Sequence, residues 1–332
     1  MARRDLGADE ASAALAEILD GNATSAQVAG FATLLHAKGE TIVELSALVR
    51  TMLDFAETVP LPDAPVIDTC GTGGDRSHTI NVSTIAAFVA AGAGAKVCKH
   101  GNRAASSSSG SADLLEAFGV VIDLGPDGVA RCIDEAGIGF CFAPRFHPAM
   151  RHAGPTRREL GVPTVFNFLG PLANPGRVRR QVVGVSDPSM AETMIGVLKA
   201  NGAARAMVVH GGDGLDELST TTTSTVLELT DDGEVRSAIV DPLALGLAAA
   251  SADQLRGGDA ATNAQLASRV LAGDAGPHRD IVLLNAAAAV VVAGLASSLE
   301  EGLVTAAGSI DSGRAAAALD ALIATSQDAA GA

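Results

Sequence analysis

The chain has 332 residues, 48% of them hydrophobic and 18% charged, a composition ample for a large folded core and unlike that of a disordered chain. Lys and Arg total 23 against 38 Asp and Glu, and the resulting net charge of −15 argues against general nucleic-acid binding while leaving room for a small anion held by local N–H groups. The four cysteines, Cys70, Cys98, Cys132 and Cys141, lack disulfide-motif or zinc-ligand spacing, and Arg3-Arg4 is not followed by an apolar signal segment, so a reduced, cytoplasmic protein is expected.

Three helices are expected before Pro60. The second and third open with Thr24-x-x-Gln27 and Thr41-x-x-Glu44, where hydroxyl and N3 side chain can close each other's orphan N–H groups, and Gly21-Asn22 and Lys38-Gly39 supply stops. Leu45, Leu48, Val49, Met52, Leu53 and Ala56 form one apolar stripe on the third, so the three should pack as a small bundle. Pro60-Leu61-Pro62 marks a boundary. The expected division is a helical domain of residues 1–62, joined by part of 144–180, and a larger domain of 63–332.

Beyond the boundary the pattern alternates. Strand 66–69, helix 84–91, strand 96–99, helix 111–118 and strand 120–123 are followed by strands at 138–142, 181–185, 206–210 and 226–229, with a helix over 190–200. This predicts an α/β fold whose central sheet is mainly parallel and flanked by helices. Segment 144–175, carrying Pro148, Pro155, Pro163, Pro171 and Pro175, interrupts the alternation and reads as a crossing between units. The apolar run over 281–296 includes Asn285 and falls short of the roughly 20 residues of a membrane span, so it is expected as a buried helix.

Gly71-Thr72-Gly73-Gly74-Asp75 follows the first strand and precedes Asn81-Val82-Ser83-Thr84, which opens a helix. Glycines admit close approach and positive φ, and a helix start offers unpaired N–H groups, so phosphate or pyrophosphate is expected there; a tight turn using glycine for geometry alone has equal standing for this motif in isolation. Lys99-His100-Gly101-Asn102-Arg103 ends the next strand, and Ala104 to Gly110 lead to Ser111 at another helix start. Ligands of open α/β sheets gather at carboxyl strand ends, which makes the pair of loops a polyphosphate cradle. Asp216-Glu217 follows the 206–210 strand onto the same rim, where adjacent carboxylates beside phosphate suit Mg²⁺. In the crossing segment, one of Arg151, Arg157 and Arg158 could grip a planar carboxylate. His100, His147 and His152 are assigned no proton transfer.

In these blocks, with Asp68-Thr69-Cys70 before the glycines, Phe146 to Leu160, Phe166 to Pro175 and Gly214-Leu215-Asp216-Glu217, the sequence resembles the anthranilate phosphoribosyltransferases, in family order over about residues 65–220. The resemblance implies a homodimer of the nucleoside phosphorylase/phosphoribosyltransferase-like plan, taking anthranilate and phosphoribosyl pyrophosphate as substrates. It implies that phosphoribosyl pyrophosphate is bound by Gly71, Gly74, Asp75, Thr79, Asn81, Val82, Ser83, Thr84, Lys99, His100, Gly101, Asn102, Arg103, Ala104, Ala105, Ser106, Ser107 and Ser111. Anthranilate falls to Gly71, Asn102, Arg157 and Gly170. Mg²⁺, as two ions, falls to Ser83, Asp216 and Glu217, and Lys99, Asp216 and Glu217 carry the catalysis. Two other readings use the same scaffold: a pyrimidine nucleoside phosphorylase, and a non-catalytic relative that binds nucleic acid.

Overall fold

The structure, a computed structural model, describes residues 4–104 and 108–331. Ala105, Ser106 and Ser107 lie outside the described residues. Three helices open the chain, α1 (Ala8–Leu19), α2 (Ser25–Lys38) and α3 (Ile42–Asp54). Both expected capping boxes form, Thr24 with Gln27 and Thr41 with Glu44. Glu44 also accepts from the Leu6 N–H at 2.8 Å and the Lys38 ammonium at 2.9 Å, so a fully buried carboxylate is paired on every side and ties the α1 entry to α3. Leu45, Leu48, Val49 and Met52 are buried as the stripe predicts.

The next part builds half of the sheet: β1 (Val66–Gly71), α4 (Val82–Gly92), β2 (Lys96–Gly101), α5 (Ser111–Ala117), α6 (Pro126–Ala136) and β3 (Ile138–Phe142). The crossing segment folds into short helices, α7 (Ala143–Phe146), α8 (Gly154–Leu160) and α9 (Val165–Leu172). The chain then adds β4 (Arg180–Gly184), α10 (Ala191–Ala200), β5 (Arg205–Gly211), β6 (Ser224–Leu229) and β7 (Val235–Val240), and closes with α11 (Ala260–Leu271), α12 (Pro277–Ala293), α13 (Leu299–Asp311) and α14 (Arg314–Ala330).

The sheet order is β3-β2-β1-β4-β5-β6-β7, parallel from β3 to β5 and antiparallel beyond. The chain runs outward from β1 to β3 and returns to β4 on the other side of β1, so the strand order reverses between β1 and β4. That is where ligands of such sheets collect.

Two apolar clusters divide the interior. One joins α4, α12 and the helices of the same sheet face; the other joins α1–α3 to Phe166, Phe168 and Leu169 of α9 and to α10. α12 is buried from Ile281 to Ala293. An unpartnered amide inside it would cost about 1–3 kcal/mol. Asn285 avoids that by donating to the carbonyls of Ile281 and Leu218 and accepting from the Leu218 N–H, each at 2.9 Å.

One expected strand is absent. Residues 120–123 form a short β-branched apolar run ending at Asp123, but the Val120 N–H donates to the Leu115 carbonyl closing α5, and the Val121 N–H to Ser326 Oγ of α14. Val120, Ile122 and Leu124 therefore fill the core from an irregular segment without a ladder partner. Conversely, β7 escapes the sequence pattern because five of its six residues are exposed, leaving no buried face to read. No described helix is long and apolar enough to cross a membrane.

Candidate active site

The expected residues converge on the carboxyl edge of the sheet. Gly71 ends β1 and is the register partner of Gly184 at the end of β4. A Cβ on Gly71 would lie 2.2 Å from Asp216 Oδ2, and one on Gly184 would lie 1.5 Å from the Asp216 carbonyl. The paired glycines thus form a notch at the β1/β4 reversal into which Asp216 fits. Thr72 and Ser186 lace the notch shut: the Thr72 N–H donates to the Gly184 carbonyl at 2.9 Å, and the Ser186 N–H to Thr72 Oγ1 at 3.1 Å. Sequence reasoning found Gly71 and missed Gly184, because the match is made across strands.

The turn after β1 is held in the left-handed region at Gly73 (φ 66°), Gly74 (φ 84°), Arg76 (φ 56°) and His78 (φ 54°). Non-glycine residues adopt that region at a cost, and two in one short turn show a backbone held by its surroundings. The Gly73 N–H donates to Asp216 Oδ2 at 2.7 Å, while Ser77 satisfies Asp75. Thr79 pairs with Arg256 in an isolated antiparallel bridge.

Unpaired N–H groups are not what the start of α4 offers. The Val82 N–H donates to the Ile80 carbonyl at 2.7 Å, the Thr84 N–H to the Asn81 carbonyl at 3.1 Å, and the Ser83 N–H to Glu217 Oε1 at 3.2 Å. The helix start is already occupied by the Glu217 carboxyl group, whose ionised form its dipole favours. Thr84 Oγ1 lies 3.1 Å from Ser111 Oγ and so joins the first turns of α4 and α5.

Asp216 and Glu217 are the least satisfied charges. Burial and then the nearby Asp75 push Asp216 up to about 7, and burial and then Asp216 push Glu217 well above the usual carboxylate range. No Lys or Arg forms an ion pair with either among the described residues. A cation beside them would remove this penalty, so the pair fits a hard divalent ion. The described residues hold no group of three His, Cys, Asp or Glu that could cage a metal alone. A carboxylate pair suits Mg²⁺, which takes one or two carboxylates and completes its shell with water and substrate oxygens. Asn285, which in the sequence reads only as a break in an apolar run, grips both backbone groups of Leu218 directly after Glu217.

Lys99 is 1% exposed and donates Nζ to the Thr69 carbonyl. Its neighbour beneath, Asp68, accepts from the His100 N–H at 3.2 Å and from Asn174 Nδ2 at 2.8 Å. Asn174 also donates to the Cys98 carbonyl at 2.7 Å, pinning the end of the crossing segment to β2. His100 Nδ1 faces the Gly170 carbonyl at 3.2 Å, and His147 Nε2 faces the Ala173 carbonyl at 2.9 Å. A carbonyl only accepts, so both of these nitrogens carry protons, and burial, which holds His100 well below its usual value and His147 down at about 4, leaves both rings neutral near pH 7. They are fixed structural groups.

Other expected positions make contacts within the chain. Arg103 is exposed, pairs with Asp113 and Glu116, and lies over the Phe142 ring at 5.6 Å. Asn102 Oδ1 accepts from the Arg103 N–H at 2.7 Å, and the Ala104 N–H donates to Asp113 at 3.0 Å. A Cβ on Gly101 would meet the Phe140 ring at 2.9 Å. Arg157 differs: half-buried on α8, it stands 5.4 Å over the Phe166 ring, and no carboxylate pairs with it among the described residues. Burial lowers its guanidinium from the ordinary value. Such a cation is ready for a planar anion.

Comparison with known proteins adds to this geometry. Residues 1–56 match the helical bundle domain of a glycosyl transferase family, and residues 63–316 match its a/b domain. Over 322 residues, 95% of this chain and 88% of the relative, the sequence is 55% identical to the anthranilate phosphoribosyltransferase of Rhodococcus jostii (strain RHA1). It is 53% identical to that of Chloroflexus aggregans over 328 residues, 98% of this chain and 96% of the relative. Among solved structures, anthranilate phosphoribosyltransferase from Thermus thermophilus superposes with a TM-score of 0.93 at 41% identity, covering 98% of this chain and 97% of that one. The Saccharomyces cerevisiae enzyme in complex with PRPP and Mg gives a TM-score of 0.87 at 29% identity, covering 97% and 92%.

Proposed function

Because the chain belongs to the anthranilate phosphoribosyltransferase family, we propose that the rim site described above transfers the phosphoribosyl group of phosphoribosyl pyrophosphate to anthranilate, giving N-(5-phosphoribosyl)anthranilate and pyrophosphate, a step of tryptophan biosynthesis. The observation that carries it is the pair of buried carboxyl groups without an ion-pair partner among the described residues, Asp216 set in the Gly71–Gly184 notch and Glu217 on the Ser83 N–H, beside the glycine turn. Mg²⁺ is the cofactor, with Asp216, Glu217 and the Ser83 hydroxyl as its protein ligands, and we assign it as two ions. When bound, it supplies positive charge that favours departure of pyrophosphate.

The chain's own groups do the rest by position and charge. The glycine turn, Asn81 and Thr84 hold the donor, and Lys99 places a buried positive charge at the foot of the same cleft. Arg157 orients the anthranilate carboxylate, with Asn102 and Gly170 on the same side. The aniline nitrogen is unprotonated at neutral pH and needs no strong base. It bonds to ribose C1 as the C1–O bond breaks, the electron pair leaves with the pyrophosphate oxygen, and the surplus proton passes to solvent. Residues 1–62, with part of 144–180, form the smaller unit and pack on the larger body, with the acceptor side assigned to the smaller unit's side of the site. The assembly is a homodimer in the cytoplasm.

The test is a purified-protein assay with both substrates. Mg²⁺-dependent release of pyrophosphate matched by phosphoribosyl anthranilate, abolished by EDTA, is expected; no turnover, or phosphorolysis of uridine or thymidine in its place, would overturn the reading.

A further inference from the structure

Asn263 belongs to none of the motifs above and stands 182 positions from Asn81, yet the two side chains meet. It lies in α11, 2% exposed. Its Oδ1 accepts from the Gly258 N–H at 2.7 Å, which fixes the amide so that Nδ2 donates to Asn81 Oδ1 at 2.9 Å. With its oxygen engaged, Asn81 turns its own Nδ2 to the Ser109 carbonyl at 2.9 Å. The amide relay therefore runs from the Gly258 N–H through Asn263 and Asn81 to the Ser109 carbonyl, and the Ser109 hydroxyl closes it by donating back to Asn81 Oδ1 at 3.4 Å. The relay links α11 to the residue that opens α4, and that residue to the loop between β2 and α5.

The backbone around it repeats the tie. The Ile80 N–H donates to the Leu255 carbonyl at 3.2 Å, and the Gly257 N–H to the His78 carbonyl at 2.9 Å, on either side of the Thr79–Arg256 bridge. Gly257 must lack a side chain, because a Cβ there would come within 2.4 Å of Asn263 Oδ1. Only a carboxamide satisfies both of Asn263's neighbours. An apolar side chain would leave the Gly258 N–H unpartnered and take from Asn81 Oδ1 its amide donor, and a carboxylate would set oxygen against Asn81 Oδ1. Asn81 could meet a carboxylate only by reversing, and would then set its oxygen against the Ser109 carbonyl.

We propose that Asn263 is a positioning residue of the donor site: acting through Asn81, it holds the two phosphoribosyl-pyrophosphate loops in register without touching either substrate. The inference rests on the reading of Asn81 as a donor ligand. Asn263→Asp keeps the volume and the Gly258 bond while reversing the polarity presented to Asn81. It should raise the donor KM roughly tenfold and leave the anthranilate KM within about twofold, a split that a general loss of structure would not give. In a cycle with Asn81→Ala, the double variant should match Asn81→Ala alone, because Asn263 acts only through that side chain. Should Asn263→Asp fail to fold, Asn263→Ala, a good helix former, carries the same expectation. Equal rises in both KM values, a lowered Tm with an unchanged donor KM, or independent effects that multiply in the cycle would overturn the inference. An unchanged donor KM in Asn81→Ala would instead remove the donor-site reading and the inference with it.

Discussion

At the sheet rim, charge of one sign is crowded: Asp216 and Glu217 stand beside Asp75, and their oxygens are held by the N–H groups of Gly73 and Ser83. On α8, by contrast, Arg157 stands alone over an aromatic face. Both arrangements carry unneutralised charge, which folding alone disfavours. The rim's charge is fixed by a dense set of glycines and backbone bonds, so it can be used only where it is. Arg157's is fixed by packing on one ring. On the proposed assignment of the two sides, the difference teaches that the donor side is built for placement and the acceptor side for attraction.

The largest effect should come from removing the rim's charge. Asp216→Asn with Glu217→Gln should lower kcat/KM by about a thousandfold or more and abolish the Mg²⁺ dependence, read in the pyrophosphate-release assay. The same double variant should be no less stable than the parent at neutral pH without metal, since it deletes carboxyl groups whose ionisation burial makes unfavourable. A marked loss of Tm would show that the carboxylates serve the fold.

Moving the charge without deleting it should cost less. Gly71→Ala presses on Asp216 from the β1 side of the notch and should lower kcat/KM about a hundredfold, the penalty of an ångström-scale misplacement. Activity within about threefold of the parent would mean that the notch does not set the position of Asp216.

The smallest effect is on stability and lies where the crossing segment meets β2. His147 is depressed to about 4 and His100 also lies below its usual value, so the unfolded chain takes up protons that the folded one refuses. Their contribution is complete above the ordinary histidine value of 6.5 and is lost as pH falls toward 4. Urea unfolding should show declining stability across this interval, with a shallower slope in His147→Gln; identical slopes would contradict the assignment of neutral, buried rings.

How much of this was legible in the sequence follows from range. The Gly71 turn, Lys99 at a strand end and Asp216-Glu217 after β5 are local signals, each a residue type beside an element boundary, and the structure brings them to one edge. Gly184 was not legible, because its partner is set by β1/β4 register, nor was Asn263, whose contact closes across 182 positions. The expected free N–H groups at α4 failed for a related reason: Glu217, remote in sequence, occupies one of them. The missing strand at 120–123 shows that a short apolar run reports burial, whereas a strand also needs a neighbour with free backbone groups.

The most direct test of the division between placement and attraction is the pair of KM values in Arg157→Ala, measured with saturating Mg²⁺. The account predicts an anthranilate KM raised roughly tenfold to a hundredfold and a phosphoribosyl pyrophosphate KM within about twofold of the parent. An unchanged anthranilate KM, or equal rises for both substrates, would contradict it.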